Sequence, residues 1–231
     1  MFLQISLAQD TLATVAGDSI QSTEETLSIM QLIIDAGWYI MIPLGILSLT
    51  AIYIFVERFF TIQKASKEQP NFLNQIKDFI HDGKTDSAKS LCSSNPAPIA
   101  RMLEKGILRI GKPLSDVNTA IENVGKLEIY NLEKSLATLA TIAGAAPMIG
   151  FLGTVIGMIR TFHEMYTSGN SVELGQLSGG IMQALVTTVA GLVIGIIAYI
   201  GYNILVAKVE KAVHKMESAT IEFMDILQER V

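Results

Sequence analysis

Four polar side chains stand inside long stretches of sequence that carry no charge: Thr154, Gln183, Thr187 and Thr188. Hydroxyl and amide oxygens in apolar surroundings must find hydrogen-bond partners, and they can also coordinate a cation or line a wet path. Thr154 lies in a run from Ser135 to Ile159 without Asp, Glu, Lys, Arg or His. The other three lie in a second such run, from Leu174 to Ala207. The pattern predicts an ion pathway or a polar contact between helices inside a membrane.

Small residues accompany these polar side chains at helical spacing, and at about 100° per residue they fall on one face of each helix. The first run carries Ala143, Ala146, Gly150, Gly153 and Gly157 on this face, and the second carries Gly180, Ala184, Thr187, Gly191, Gly195 and Ala198. Such a face lets another backbone approach closely, so the glycines predict helix packing. Gln183 and Thr188 lie on opposite flanks of the second face. We expect Pro147 to shape the helix of the first run.

The composition describes a protein that is partly in lipid and partly in water. Half of the 231 residues are hydrophobic (50%), and the mean hydropathy is +0.42. The net charge of −5 argues against a nucleic-acid partner, which would require a basic surface. The single cysteine, Cys92, excludes an intrachain disulfide. No nucleotide loop, zinc-protease motif or nucleophile elbow is present, so we predict neither an enzyme nor a cofactor.

Uncharged runs of about 20 residues or more are long enough to cross a bilayer as helices. The predicted fold class is therefore all-α, a three-span integral membrane protein whose long helices extend into a cytoplasmic helical domain. The predicted segments are a periplasmic N-terminal tail (1–34), a first transmembrane helix (35–57), the cytoplasmic domain (58–134), a second transmembrane helix (135–162), a periplasmic hairpin (163–177), a third transmembrane helix (178–207) and a cytoplasmic C-terminal helix (208–231).

Two amphipathic patterns extend the membrane helices into water. Val117, Ile121 and Val124 begin a stripe with no strong breaker before the apolar run, so we expect the second membrane helix to begin well outside the bilayer. In the tail, an apolar stripe with alternating spacings of four and three predicts a seam for a neighbouring helix, either in the chain's own domain or in another subunit. This stripe comprises Val209, Val213, Met216, Thr220, Phe223 and Leu227.

The distribution of basic residues predicts the orientation. Lys and Arg are absent before the first span. There are 12 in residues 57–134, one at the outer end of the second span (Arg160) and four after Ala207. Because basic residues remain on the cytoplasmic side, we expect the N-terminus outside and the C-terminus in the cytoplasm.

The uncharged runs at 36–56, 135–159 and 174–207 contain no Asp, Glu, Lys, Arg or His. Proton pathways normally use a carboxylate or a histidine at membrane depth. If ions cross through this protein, the carboxylate must therefore come from another chain.

Two segments carry a resemblance to a known family: ATIAGAAPMIGFLGTVIGM at 140–158 and GIMQALVTTVAGL at 180–192. They resemble the MotA/TolQ/ExbB proton-channel family, and the short chain with three spans looks closest to its ExbB and TolQ branch. The resemblance implies a pentamer whose second and third helices line a pore around a dimeric ExbD- or TolR-like partner. The partner's membrane aspartate would take the proton, and the resulting movement would reach a TonB- or TolA-like protein.

The family's pore threonines match Thr154 and Thr188, and Gln183 stands where many members carry glutamate. We therefore name Thr154, Thr188, Gln183 and Thr187 as pathway residues. Pro147, Gly150, Gly153, Gly157, Gly191 and Gly195 are expected to pack the helices and shape the pore. The hypothesis is a ring subunit of an inner-membrane motor that powers outer-membrane import. The alternatives are TolQ-type envelope maintenance, another proton- or sodium-driven stator, and a passive membrane scaffold.

Overall fold

The computed structural model describes residues 38–65, 71–168 and 174–229, and within them the chain forms helices and no strand. The all-α prediction is thereby confirmed, while the predicted tail at 1–34 lies outside the described residues. The helices are α1 (Trp38–Ala65), α2 (Phe72–His81), α3 (Thr85–Ser94), α4 (Pro98–Ile107), α5 (Leu114–Glu133), α6 (Leu136–Ser168) and α7 (Leu174–Gln228).

Three helical stretches are long and apolar enough to cross a membrane; they lie in α1, in α5 with α6, and in α7. This finding confirms the prediction of three spans. Both α6 and α7 reach into the segment predicted as a hairpin, since α6 ends at Ser168 and α7 begins at Leu174. With 55 residues at about 1.5 Å each, α7 is about 80 Å long, roughly twice what a bilayer requires.

A break separates α5 from α6, where the sequence predicted no strong breaker. Ser135 adopts a positive φ of 66°, which interrupts the helical hydrogen bonds and leaves carbonyls at the end of α5 without their usual donors. Arg58 supplies one replacement, because its Nη1 donates to the Asn131 carbonyl oxygen at 3.1 Å. Glu57 accepts from Nε of the same guanidinium at 2.6 Å. The end of α1 thus caps the end of α5.

In the water-exposed region, α4, α5 and the second half of α7 pack around a shared core. A Cβ atom at Gly106 would lie 2.7 Å from Ile121 Cδ1 and 2.8 Å from Phe223 Cε1, so the three helices converge at this level. Val209, Met216 and Phe223 are buried in the same core. The apolar stripe predicted in the C-terminal tail therefore packs onto the chain's own domain.

In the apolar region, α1 packs into one side of the antiparallel pair formed by α6 and α7. Ile40 and Leu44 of α1 are buried with Ala146 of α6, and Ala190 and Ile194 of α7 pack against them. One side of the α6–α7 pair is therefore covered by α1.

Candidate functional site

The contact between α6 and α7 is a seam of backbone against backbone. A Cβ atom at Gly191 would lie 2.6 Å from the Ala146 carbonyl oxygen and 2.9 Å from Gly150 Cα. A Cβ atom at Gly150 would lie 2.8 Å from the Thr187 carbonyl oxygen. Only glycine fits at these two positions, because the obstructing atoms belong to the main chain and cannot rotate away. The small faces predicted from the sequence thus meet each other.

Pro147 lies within α6, and the helix continues through it. Its ring atoms Cγ and Cδ would lie 2.5 and 2.7 Å from a Cβ atom at Gly195, so the proline ring packs directly on the facing glycine. Proline has no amide hydrogen, so the Ala143 carbonyl four residues earlier loses its helical donor. Pro147 therefore shapes the seam and leaves one backbone acceptor inside the apolar region.

Thr154 and Thr188 bring their hydroxyl groups together across the seam. Thr154 Oγ1 lies 3.2 Å from the Ala184 carbonyl oxygen, and Thr188 Oγ1 lies 3.1 Å from the Gly150 carbonyl oxygen. The two hydroxyls also contact each other, and either can be the donor. Because each hydroxyl has one proton, the pair has two alternative orientations of its hydrogen bonds.

Thr187 is adjacent in sequence but differs in environment. Its side chain is 2% exposed, and its hydroxyl lies 2.7 Å from the Ala184 carbonyl oxygen and 3.2 Å from that of Gly150. A Cβ atom at Gly153 would lie 2.5 Å from Thr187 Oγ1 and 3.1 Å from Ile40 Cγ2. Thr187 therefore faces α1.

The seam accordingly has two flanks. We call the side facing α1 the covered flank, defined by Gly153, Thr187, Ala190 and Ile194. The opposite side is the open flank, defined by Pro147, Thr154 and Thr188. Thr154 and Thr188 are only partly buried there, and no described helix of this chain covers them.

Gln183 belongs to the covered flank, since it precedes Ala190 by seven residues, which is about two helical turns. Its side chain is partly buried, and among the described residues its amide has no hydrogen-bond partner. The structure therefore divides the four predicted pathway residues into two pairs. Thr154 and Thr188 meet on the open flank, whereas Gln183 and Thr187 lie on the covered flank.

A groove of about 400 Å³ continues along the open flank from Pro147 away from the threonine pair. Its wall includes the Gly144 backbone and the aromatic residues Tyr199 and Tyr202. The first tyrosine is 61% exposed, so this chain does not cover its ring. The groove is therefore a depression on the open flank between α6 and α7.

Two contributors to this arrangement were not singled out from the sequence. The first is Arg58, which is 8% exposed and ties α1 to the end of α5. Its position after an uncharged run is typical of an interfacial residue, so the sequence gives no signal of burial. The second is the pair of carbonyl oxygens of Gly150 and Ala184, which accept the threonine hydrogen bonds. Backbone acceptors have no sequence signature.

The comparisons agree with this architecture. A family model described as the MotA/TolQ/ExbB proton channel family matches residues 94–218. An ExbB-like biopolymer transport protein from Synechocystis sp. is 26% identical over 170 residues, covering 73% of this chain and 81% of its own length. The Tol-Pal system protein TolQ from Pseudomonas aeruginosa is 30% identical over 152 residues, covering 60% of this chain and 65% of its own length.

A third relative is the biopolymer transport protein ExbB from Aquifex aeolicus, which is 38% identical over 104 residues, covering 44% of this chain and 70% of its own length. The family match spans more than half of the chain and includes the whole seam with both of its flanks. The chain belongs to the MotA/TolQ/ExbB proton channel family, in its ExbB and TolQ branch.

Proposed function

We propose that this protein is the ring subunit of an inner-membrane proton channel that converts proton motive force into movement of a partner protein. The family supports the class of activity, and the distribution of basic residues supports an N-terminus in the periplasm and a C-terminus in the cytoplasm. A ring of five copies would turn the open flank of each α6–α7 pair towards a common axis.

The observation that carries the proposal is the hydroxyl pair of Thr154 and Thr188 on the open flank. The two hydroxyls contact each other and are backed by two carbonyl oxygens, so protons in this small network can be donated in either direction. Such a pair can hydrogen-bond an acid while that acid gains or loses a proton, without carrying a charge itself.

The titrating group in this proposal belongs to a partner. The sequence of the three spans has no acidic, basic or histidine side chain at membrane depth. A small single-span protein of the ExbD or TolR kind would place its membrane aspartate beside the threonine pair. We propose that the movement of this partner within the ring acts on a TonB- or TolA-like protein, either for outer-membrane import or for envelope maintenance.

The covered flank has a different role in this proposal. Thr187 is buried against α1 and bonded to carbonyl oxygens of both α6 and α7, which supports a packing role. Gln183 lies on the same flank, one turn before Thr187. We propose that its amide stabilises the periplasmic end of the helix bundle and that it does not belong to the proton path.

The test is proton flux through vesicles that contain this protein together with a single-span partner bearing a membrane aspartate. Flux is measured with a pH-sensitive dye trapped inside the vesicles. Thr154→Val and Thr188→Val keep the side-chain volume and remove the hydroxyl, and each should lower flux at least about tenfold, as expected for loss of a group that acts in proton transfer. Thr187→Val is the matched control, and its flux should stay near that of the unaltered protein.

Replacing the partner's aspartate by asparagine should abolish flux in every variant. Equal flux in Thr188→Val and Thr187→Val would refute the assignment of the open flank as the pore wall. A stable complex with no proton flux under any condition would favour the passive scaffold.

A further inference from the structure

A second groove, of about 330 Å³, runs between α1 and α7. Ser48 is the one polar residue among those that line it, and no residue of the open flank takes part. The wall on α1 extends to Phe55, and the wall on α7 extends from Val193 through Ile197 to Ile204. Both walls belong to uncharged runs, so the groove lies at membrane depth. We call it the α1–α7 groove.

The dimensions of the α1–α7 groove suit a single hydrocarbon chain. Its α7 wall rises about 16 Å from Val193 to Ile204. One leaflet contributes roughly 15 Å to the hydrocarbon core of a bilayer, so the two lengths agree. A helix of the same length, about 10 Å across, would occupy on the order of 1,000 Å³. The groove has about a third of that volume, so it can hold a flexible chain but not a helix.

An aromatic pair and a lysine lie at one end of this groove. The ring centroids of Phe55 and Phe59 are 5.9 Å apart, and Lys208 Nζ lies 4.3 Å from the centroid of the Phe59 ring. The face of an aromatic ring attracts a cation, so the ammonium is held at this end. Because Lys208 follows Ile204 by about one helical turn, its charge lies directly beyond the apolar wall, where the span meets water.

The charged residues of α7 leave Lys208 without a carboxylate partner. Glu210 lies nine residues after Gly201, which at about 100° per residue places it on the opposite face of the helix. Lys211 lies seven residues after Ile204, on the groove side of α7, and it is exposed. No ion pair joins Lys208 or Lys211 to a carboxylate within the described part of the chain.

The neighbouring helices do not cancel this positive charge. On α1, Glu57 lies nine residues after Ser48, opposite the groove. Its two carboxylate oxygens accept hydrogen bonds from Nε and Nη2 of Arg58. At the end of α5, Glu133 and Lys134 are both exposed and adjacent, so together they add no net charge. The local charge at this end of the groove is therefore positive.

We infer that the α1–α7 groove binds one acyl chain of an anionic phospholipid, whose phosphate contacts Lys208 with Lys211 beside it. Lysines at a membrane surface attract anionic headgroups. An apolar wall that ends at a cation matches a molecule with a hydrocarbon tail and an anionic head. In the proposed orientation, this lipid comes from the cytoplasmic leaflet. Its binding would join α1 to α7 at the level where Arg58 ties α1 to the end of α5.

The test is native mass spectrometry of the full-length protein after incubation with phosphatidylglycerol or with phosphatidylcholine of the same acyl chains. The unaltered protein should retain one phosphatidylglycerol per chain and little phosphatidylcholine. Lys208→Gln should weaken phosphatidylglycerol binding about fivefold, as expected for the loss of one lysine at a membrane surface, and Lys208→Arg should preserve it. Lys64→Gln is the matched control, because Lys64 is exposed in the last turn of α1 and away from the groove. It should bind like the unaltered protein.

A second pair of variants tests the acyl chain. Ile197→Trp places a large ring in the groove. Ile46→Trp makes the same change at an equally exposed isoleucine of α1 that does not line the groove. Only the first variant should lose the bound phosphatidylglycerol, and equal retention by the two would overturn the placement of the chain.

Equal retention of the two lipids, or equal binding by Lys208→Gln and Lys64→Gln, would overturn the headgroup contact. A lipid that the isolated chain binds but the assembled ring lacks would show that a neighbouring copy fills the groove, and it would overturn the site. Each of these results leaves the proposed function intact, because proton flux is tested separately through the threonine variants.

Discussion

The two halves of α7 pack by opposite rules. The first half presents Gly191 and Gly195 to α6, and the backbones touch. The second half presents Met216 and Phe223 to α4 and α5, and large side chains fill the space between the helices. The same helix thus changes its packing style within about 30 residues.

The difference follows from the solvent. In water, burying a large apolar side chain removes it from an unfavourable environment, so bulky residues drive association. In lipid, an apolar side chain gains nothing of this kind by leaving the hydrocarbon. Helices there associate through close van der Waals contact and hydrogen bonds, which require small residues and hydroxyl groups.

The largest effect is expected where the backbones touch. Gly191→Leu would force a branched side chain into the Ala146 carbonyl and the Gly150 main chain, which cannot move aside. We expect the α6–α7 pair not to form. Protease resistance of the detergent-solubilised protein measures this outcome.

Gly45→Leu is the control for that substitution. Gly45 lies in α1 with no heavy atom within 4 Å of its Cβ position. The leucine substitution there should therefore leave protease resistance unchanged. If both leucine variants were equally resistant, the backbone seam would not be essential for folding.

In the water-exposed core, Phe223→Ala should cost about 3–5 kcal/mol of unfolding free energy. The ring is fully buried and contacts the core at the Gly106 level, so its removal leaves a cavity. Chemical denaturation monitored by the helical signal measures the loss. Leu108→Ala, at a half-exposed position, should cost far less, and similar losses in both variants would contradict the assignment of Phe223 to the core centre.

At the boundary between the two regions, Arg58→Ala should cost about 1–3 kcal/mol, because Glu57 and the Asn131 carbonyl lose their partner. The loss should be accompanied by faster amide exchange at the end of α5. Arg109→Ala removes an exposed arginine with only a long hydrogen bond at 3.5 Å and serves as the control. Unchanged amide exchange at the end of α5 in the Arg58→Ala variant would show that Arg58 does not cap α5.

The smallest effect is expected at Gly201, where a glycine faces a side chain and not a backbone. A Cβ atom there would lie 3.0 Å from Phe55 Cδ2. A groove of about 330 Å³ lined by both residues gives the ring room to shift. Gly201→Ala should therefore change the unfolding free energy by no more than about 0.5 kcal/mol. If Gly201→Ala destabilised the protein as much as Gly191→Leu, a glycine that faces a side chain would be no more tolerant of substitution than one that faces a backbone.

Much of this architecture was predictable from local patterns. The uncharged runs predicted the three spans, because a bilayer imposes a minimum length on any apolar helix. The spacing of Ala146, Gly150 and Gly191 predicted two slim faces, because helical periodicity places such residues in line. The stripe through Val209, Met216 and Phe223 predicted a buried face, although its partner was left open between two alternatives.

The helix break at Ser135 could not be predicted in this way. Serine is compatible with a helix, and the Asn131 carbonyl near its positive φ is bonded by the distant Arg58. The hydrogen-bond donor for this carbonyl thus comes from a residue 73 positions away along the chain. Such a contact leaves no trace in the periodicity of either segment.

What the sequence by itself determined is which residues lie together on a helix face and which stretches belong in lipid. Both depend on the repeat of the helix and on the transfer of side chains from water, which are local properties. Only the tertiary structure decided which flank of the seam α1 covers, since helix packing is set by contacts between distant segments. That decision separates Thr187 from Thr188, two adjacent and identical residues, and leaves the second of them with Thr154 on the open flank.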